Sequence, residues 1–266
     1  MNMLKIMLTG YNGRMGRAVI EAADKSKEFE IVAGVDINPA PINLSFPVFF
    51  KPSDYKDKSD IIIDFSHHSA VDALLEYAAA SKIPIVIATT GHTEDEMKLI
   101  KSYADKIAIF KSANMSVGVN LVAELAKKAA LLLKNDFDIE IIEKHHNQKI
   151  DAPSGTALMI AEEISSVFSD KCDNGDNQKP GYIYDRHNVR KIRGKNEIGI
   201  HTVRGGTIIG EHEVIFAGTN ELISISHSAQ SREMFANGAL TAARFLYGKT
   251  PGLYNMKDLI GEITQE

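Results

Sequence analysis

The sequence predicts an α/β protein in two parts: a parallel-sheet domain first, then a smaller α+β domain. Three observations predict it. Through the first third of the chain, short runs rich in β-branched residues alternate with helical stretches, the pattern of parallel βαβ units. Those runs are apolar almost without interruption, as strands covered on both faces are. Beyond Asn114 the texture changes to longer helices and to strand runs joined by tight glycine links.

Strands are predicted at Leu4–Thr9, Ile31–Val35, Ile61–Phe65, Ile83–Ala88 and Ile107–Phe110, with helices over Arg14–Lys25, Ser69–Ala80 and Glu94–Ala104. Asn38–Lys58, rich in Pro and Asp, reads as loop with a short strand at most, at Pro47–Phe50. Val117–Lys134 reads as a long helix with Leu121, Leu125, Ala129 and Leu132 on one stripe. Asp138–Glu143 reads as a strand, Ser154–Phe168 as a helix and Ser169–Gly181 as a mobile surface loop. Strand runs follow at Glu197–Val203, Thr207–Phe216 and Glu221–His227. Their links, Gly205-Gly206 and Gly218-Thr219-Asn220, suit antiparallel hairpins. A helix over Arg232–Tyr247 and a terminal segment, Leu253–Ile263, close the chain.

Composition removes several function classes. The chain has 266 residues, 44% hydrophobic and 24% charged, with a net charge of −5 and a pI near 6.0. A broad basic face for nonspecific nucleic-acid binding is therefore excluded. One cysteine, Cys172, excludes an intrachain disulfide framework and a cysteine-rich zinc site. The opening run MNMLKIMLTG is too short for a secretory leader, and no stretch is long and apolar enough to cross a bilayer. A soluble, cytoplasmic protein with no membrane partner is expected.

The first strand ends in Gly10-Tyr11-Asn12-Gly13-Arg14-Met15-Gly16, and an Ala/Val/Ile helix starts at once. Glycines there permit a tight turn and let backbone N–H groups approach a pyrophosphate at the helix N-terminus. The spacing is G-x-x-G-x-x-G, with Asn12 where many dehydrogenases have a second glycine, and Asn tolerates positive φ. Asp36 ends the second strand, where a carboxylate can accept hydrogen bonds from adenosine-ribose hydroxyls. The rival reading is an ordinary βα turn followed by an Asp that merely ends a strand. NADH, NADPH or both are the cofactors expected. Asp36 repels a 2′-phosphate and Ile37, Asn38 and Pro39 carry no compensating charge, so NADH is expected to serve at least as well as NADPH, although Arg14 and Arg17 can reach round.

The segment Glu143-Lys144-His145-His146-Asn147-Gln148-Lys149-Ile150-Asp151-Ala152-Pro153-Ser154-Gly155-Thr156-Ala157 leaves a strand and enters a helix. Ser154 suits an N-cap, which leaves the N–H groups of Gly155 and Thr156 at a positive dipole end. His145, His146 and Lys149 add donors, and together they suit a small dicarboxylate. The bland alternative is surface histidines and a solvated lysine. No metal is expected, since two adjacent imidazoles lack a well-spaced third ligand. His67-His68, at a helix start, receives no catalytic role.

The run EKHHNQKIDAPSGTA resembles the signature of the 4-hydroxy-tetrahydrodipicolinate reductase (dihydrodipicolinate reductase) family of diaminopimelate and lysine biosynthesis. GYNGRMGR, IDFS, ATTG, SANMSVGVN, EIGIHTVRGGTIIGEHEV and FANGALTAARFLYGKTPGLYNMKDLI match the same family in order along nearly the whole chain. The resemblance implies a Rossmann-like dinucleotide domain over 1–116 and 232–266, and a mixed-sheet substrate and oligomerisation domain over 117–231. It implies His145 as proton donor and acceptor, Lys149 as general acid, and His146, Ser154, Gly155 and Thr156 as substrate contacts. Gly10, Tyr11, Asn12, Gly13, Arg14, Met15 and Asp36 match the cofactor loop and its ribose acid. Ala88, Thr89, Thr90, Ser112, Ala113, Asn114 and Met115 match the segments at the nicotinamide end. Ala88 departs from the Gly of many relatives, and Ile37 from the Arg of some. A cyclic dicarboxylate substrate and a homotetramer are implied, with Val214, Phe216, Ile223 and Ile225 serving either a sheet-to-sheet interface or an ordinary core. The rivals are an aspartate-type dehydrogenase on the same scaffold and an NAD(H) sensor without turnover.

Overall fold

The computed structural model describes residues 3–39, 44–168, 179–188 and 190–263. The chain divides into two compact units, Met1–Val117 with Arg232–Glu266, and Gly118–Ser231. Among the described residues no helix is long and apolar enough to cross a membrane.

The first unit carries β1 (Leu4–Thr9), α1 (Arg14–Asp24), β2 (Phe29–Val35), β3 (Val48–Phe49), β4 (Ile61–Asp64), α2 (Val71–Ser81), β5 (Ile85–Ile87), α3 (Glu94–Tyr103) and β6 (Ala108–Lys111). Its seven-stranded sheet is parallel, in the order β12-β6-β5-β4-β1-β2-β3, where β12 is Gly252–Tyr254. Strand alternation fills two cores. Ile6, Leu8, Ile61, Ile63 and Phe110 face one side, under α1, α6 (Glu233–Leu246) and α7 (Met256–Ile263). Met7, Ile62, Ile85, Ile87 and Ile109 face the other, under α2 and α3. Each such fully buried side chain contributes roughly 1.5–3 kcal/mol. The order reverses between β1 and β4, and ligands of doubly wound sheets bind at the carboxyl ends of the strands beside such a reversal.

The second unit holds most of α4 (Val117–Leu133), then β7 (Asp138–His145), α5 (Gly155–Ser165), β8 (Gly181–Ile183), β9 (Glu197–Arg204), β10 (Glu211–Ala217) and β11 (Leu222–Ser228). Its sheet is mixed, in the order β11-β10-β7-β9-β8. Ile139, Ile141, Ile198, Ile200, Val214 and Phe216 pack one face against Val122, Ala126, Ile160 and Ile164 of the helices. The other face carries an ion-pair cluster of Glu140 with Arg186, Arg193 and His201.

Four expectations need correcting. The helix over Ser69–Ala80 begins as a 3-10 turn, His68–Ala70, and becomes α-helical at Val71. The leucine stripe of α4 is not its buried face: Val119, Val122, Ala123, Ala126 and Ala130 are buried, while Leu121 and Leu125 are exposed and Leu132 is 83% exposed. Small residues let the helix lie close to the sheet, and the leucines point away. Gly205-Gly206 closes no hairpin. β7 lies between β9 and β10, parallel to the first and antiparallel to the second, and the 205–210 link crosses the end of β7. Two strand spacings are about 10 Å, well within the reach of six residues. The link consumes the start of the expected Thr207–Phe216 strand, so β10 begins at Glu211 rather than Thr207. Finally, the terminal segment starts with an unforeseen edge strand, β12, paired parallel with β6. Val214 and Phe216 lie in the core of the unit itself. The loop expected over Ser169–Gly181 lies, apart from its last three residues, outside the described residues.

Candidate active site

In the first unit, the turn after β1 is shaped by what its glycines lack. Gly10 has φ +73°, and a Cβ there would run into the backbone of Phe65 and Ser66. A Cβ on Gly16 would strike the carbonyl of Gly10 and the backbone of Tyr11. Gly13 N-caps α1 in an extended conformation without any side-chain cap, so the first helical N–H groups are left for an outside acceptor. Asp36 is tied to this turn: its carboxylate accepts from the backbone N–H of Asn12 at 3.3 Å and of Asn38 at 2.9 Å. Arg17 fastens Asn12 from the other side, at 3.2 Å to its carbonyl and 3.0 Å to its side chain. Arg14 is exposed. Tyr11 is fully buried, edge-on to Phe46, which leaves its backbone rather than its ring at the turn.

The remaining predicted cofactor residues follow β5 and β6. Buried Asp64 accepts from the hydroxyls of Thr9 (2.6 Å), Ser66 (2.5 Å) and Thr89 (2.7 Å), which fastens the ends of β1, β4 and β5 together. Ala88 spends its N–H on the Asp64 carbonyl at 3.0 Å, and Thr90 is exposed. Lys111 donates to the Thr89 carbonyl at 2.8 Å; burial lowers its pKa and Asp64 opposes that. In the next turn, the Ser112 hydroxyl donates to the Asn114 carbonyl and Asn114 Oδ1 accepts from Ser116 N–H, while Ala113 is exposed. Met115 is buried in the core, with its carbonyl against Gly238 so closely that any side chain there would overlap it. His92, passed over in the sequence, has both ring nitrogens buried without a partner, and burial lowers its pKa. These features fit a dinucleotide: a backbone cradle that a Cβ would fill, with a carboxylate fixed beside it.

A cavity of about 1040 Å³ in this unit is lined by Ser59, Pro84 and Ile107, just before β4, β5 and β6. It is at the amino ends of the strands, whereas the glycine turn follows the carboxyl end of β1. Cavity size therefore does not mark the chemistry.

In the second unit the inward face of β7 runs Ile139, Ile141, Glu143, His145, so the apolar alternation ends in two ionisable groups. Glu143 is fully buried. Its Oε2 lies 2.6 Å from His145 Nδ1 and 2.8 Å from an Arg204 nitrogen. Its Oε1 accepts from Arg204 (2.8 Å), the Thr202 hydroxyl (3.0 Å) and Ser154 N–H (3.1 Å). Burial alone would raise the pKa of Glu143; Arg204, His145, Thr202 and Ser154 together outweigh it and hold the carboxyl at about 2. Burial lowers the pKa of His145, against the opposing pull of Glu143.

Ser154 caps α5, its hydroxyl accepting from Ala157 N–H at 3.1 Å, and lies 3.0 Å from His212 Nε2. His212 is buried, edge-on to His145 at 5.3 Å, and burial takes its pKa down to about 4. Lys149 pairs with Asp151 at 2.8 Å, which lowers the Asp151 pKa. Gly155 is exposed at the first helical position; His146 and Thr156 are half-buried.

The structure therefore joins His145 and Ser154 through one carboxylate, and sets Lys149 and His146 on the turn between them. Sequence reasoning missed Glu143, Thr202, Arg204 and His212. Glu143 had a readable signal, an acid at an inward position two residues beyond Ile141. The other three come from β9 and β10, about 60 residues away, where pairing sets Thr202 and His212 opposite Glu143 and Arg204 opposite His145.

Two family models match the chain: "Dihydrodipicolinate reductase, N-terminus" over residues 4–115 and "Dihydrodipicolinate reductase, C-terminus" over 118–260. The 4-hydroxy-tetrahydrodipicolinate reductase of Caldanaerobacter subterraneus subsp. tengcongensis is 53% identical over 258 residues, covering 97% of this chain and 98% of that one. The reductase of the same name from Clostridium tetani is 48% identical, covering 96% of each. Among solved structures, a dipicolinate-bound dihydrodipicolinate reductase from Paenisporosarcina sp. TG-14 superposes with a TM-score of 0.79 at 25% identity, over 95% of this chain and 97% of that one.

Proposed function

Because this chain belongs to the dihydrodipicolinate reductase family, we propose that it reduces 4-hydroxy-tetrahydrodipicolinate to tetrahydrodipicolinate, with loss of water, in diaminopimelate and lysine biosynthesis. The observation that carries this beyond the family name is the pairing, on one buried carboxylate, of His145 with the Ser154-capped tip of α5. Such a pairing offers a proton beside a place for a carboxylate, as a cyclic dicarboxylate needs.

The dinucleotide, when bound, supplies the hydride. Gly10 and Gly13 would shape the cradle, the first-turn N–H groups of Arg14, Met15 and Gly16 would hold its pyrophosphate, and Asp36 would accept from its ribose. In the second unit the N–H groups of Gly155 and Thr156 receive one substrate carboxylate, with His146 and Lys149 neutralising charge. Lys149 exchanges Asp151 for the substrate; Asp151 is exposed and its carboxylate returns to water, so the exchange costs little. Departure of the 4-hydroxyl as water leaves a conjugated imine, and His145 supplies through Nε2 the proton that balances hydride addition. A cytoplasmic location belongs to this reading. A homotetramer belongs to the same reading, and edge strand β11, with Leu222 62% exposed, offers it a surface; light scattering checks the mass.

The test is substrate-dependent NADH oxidation, followed by absorbance, with freshly made dihydrodipicolinate synthase product. Cofactor binding without oxidation would mean a sensor, and oxidation only with an oxo or amino acid would mean a different dehydrogenase.

A further inference from the structure

We propose that Glu143 is a positioning residue of this reaction: it fixes the His145 imidazole with the proton on Nδ1 and presents Nε2 to the substrate. The proposal rests on the reductase reading above. Glu143 has no exposure to water, and an unpaired carboxylate there would be very costly. Five donors meet its two oxygens at 2.6–3.1 Å, among them both terminal nitrogens of Arg204 in a fork. An ionised carboxylate only accepts, so the 2.6 Å contact requires Nδ1–H on His145. In the neutral ring Nε2 then carries the lone pair, and in the charged ring it carries the transferable proton.

The neighbours favour this arrangement. A side chain on Gly210 would come within 3.1 Å of Nε2, so glycine keeps that nitrogen clear. The charged and titratable groups facing His145 are Glu143 on its own strand, Lys149 from the following turn, Arg204 from β9 and His212 from β10. Of these only Glu143 favours the imidazolium; Lys149 and Arg204 oppose it, and His212 is neutral near pH 7. The other oxygen of Glu143 holds Ser154 N–H at the head of α5, and Arg204 also donates to the Asp151 carbonyl at 2.6 Å. One carboxylate thus sets the orientation of the proton donor and anchors the anion-receiving helix tip.

The test is Glu143→Gln, read first by the 15N chemical shifts of the His145 ring across a pH titration. The wild type is expected to show the Nδ1–H tautomer. In the variant that preference should be lost and the ring should titrate at lower pH, because Glu143 is the group that favours the imidazolium. Turnover needs the protonated ring, so the alkaline limb of kcat should move to lower pH with it. At pH 7 kcat should fall by roughly 10–100-fold while KM for NADH stays within about twofold. Glu143→Asp, which keeps the charge, should restore the position of the limb in part. A merely structural role would lower kcat without moving either the tautomer or the limb, and that outcome overturns the proposal. Arg204→Gln gives an independent check with opposite sign: His145 should keep its Nδ1 proton and titrate higher, and a lower titration there would also overturn it. The NMR readings need no turnover, so failure of the reductase reading is distinguishable: it appears as a wild type that binds cofactor and oxidises none.

Discussion

The glycine turn of the first unit and the Glu143 cluster of the second are built by different physical means. The turn is shaped by space: Gly10 and Gly16 stand where any Cβ would strike backbone, and the groups left open are main-chain N–H donors. The Glu143 cluster is built on compensated charge: a buried acid, a guanidinium fork and two imidazoles whose pKa values are displaced. A site made of space fails when atoms are added. A site made of charge fails when a partner is removed or a proton arrives.

The largest effect should come from removing the side chain proposed to carry the proton. His145→Gln, and Lys149→Ala beside it, should lower kcat by roughly 10²–10⁴, the usual contribution of general acid–base help, with dinucleotide affinity within about twofold. Steady-state kinetics and calorimetric titration with NADH check both halves. Near-wild-type turnover in both variants would reduce the second region to a binding surface and dissolve the contrast.

Acid should separate the two regions next. Glu143 titrates at about 2 in the folded chain against about 4.5 unfolded, so its contribution is complete above pH 4.5 and is lost as the pH falls toward 2. His212, at about 4 against 6.5, must remain neutral in the folded state, so stability is lost as the pH falls from 6.5 toward 4. Each shift corresponds to about 3 kcal/mol. His145 and His227 move in the same direction in the second unit; in the first, among the described residues, His92 does. Hydrogen exchange at pH 7 and pH 5 should therefore show β7 and β10 losing more protection than β1 and β4. Equal loss would show that charge burial does not distinguish the regions.

The same contrast explains what could be read along the chain. The turn was legible because its parts are consecutive: strand, three glycines, helix, then an acid ending the next strand. The parallel βαβ character of the first sheet follows from the alternation of apolar runs and helices, whereas its strand order and the edge strand β12 depend on long-range pairing. In the second unit, His145, Lys149 and Ser154 are local and could be read, whereas Arg204 and His212 reach Glu143 through strand pairing. That pairing was misjudged at Gly205-Gly206, where a short glycine link looks alike whether it closes a hairpin or steps over a strand. Gly205 N–H donates to the His145 carbonyl and Asn147 N–H to that of Gly206, so the misread link also secures the end of β7. The leucines of α4 misled for another reason: periodicity marks a face but not which neighbour it meets, and close packing selected the alanine face.

A smaller change should follow from adding atoms at the turn. Gly16→Val places branched carbon against the Gly10 carbonyl and should weaken NADH binding by about tenfold or more, while the His145 titration stays at its wild-type position. Calorimetry and the imidazole 15N shifts together check this. A shifted His145 titration would mean that the regions are coupled in a way that neither space nor charge alone describes.

The smallest effect concerns the choice of dinucleotide, where the first region relies on charge as well. Asp36 accepts from Asn12 and Asn38 N–H, so its carboxylate is held at the turn and cannot swing away from a ribose. Ribose hydroxyls can donate to such a group; a 2′-phosphate brings like charge to it. Arg17 is occupied by Asn12, which leaves exposed Arg14 as the nearby cation best able to offset that repulsion, and an exposed charge is screened by solvent and salt. The balance predicts kcat/KM for NADH at least equal to that for NADPH, with a ratio within about tenfold. Arg14→Ala should lower kcat/KM for NADPH more than for NADH. A tenfold preference for NADPH would place the controlling charge outside the turn, and the first region would no longer be a site made chiefly of space.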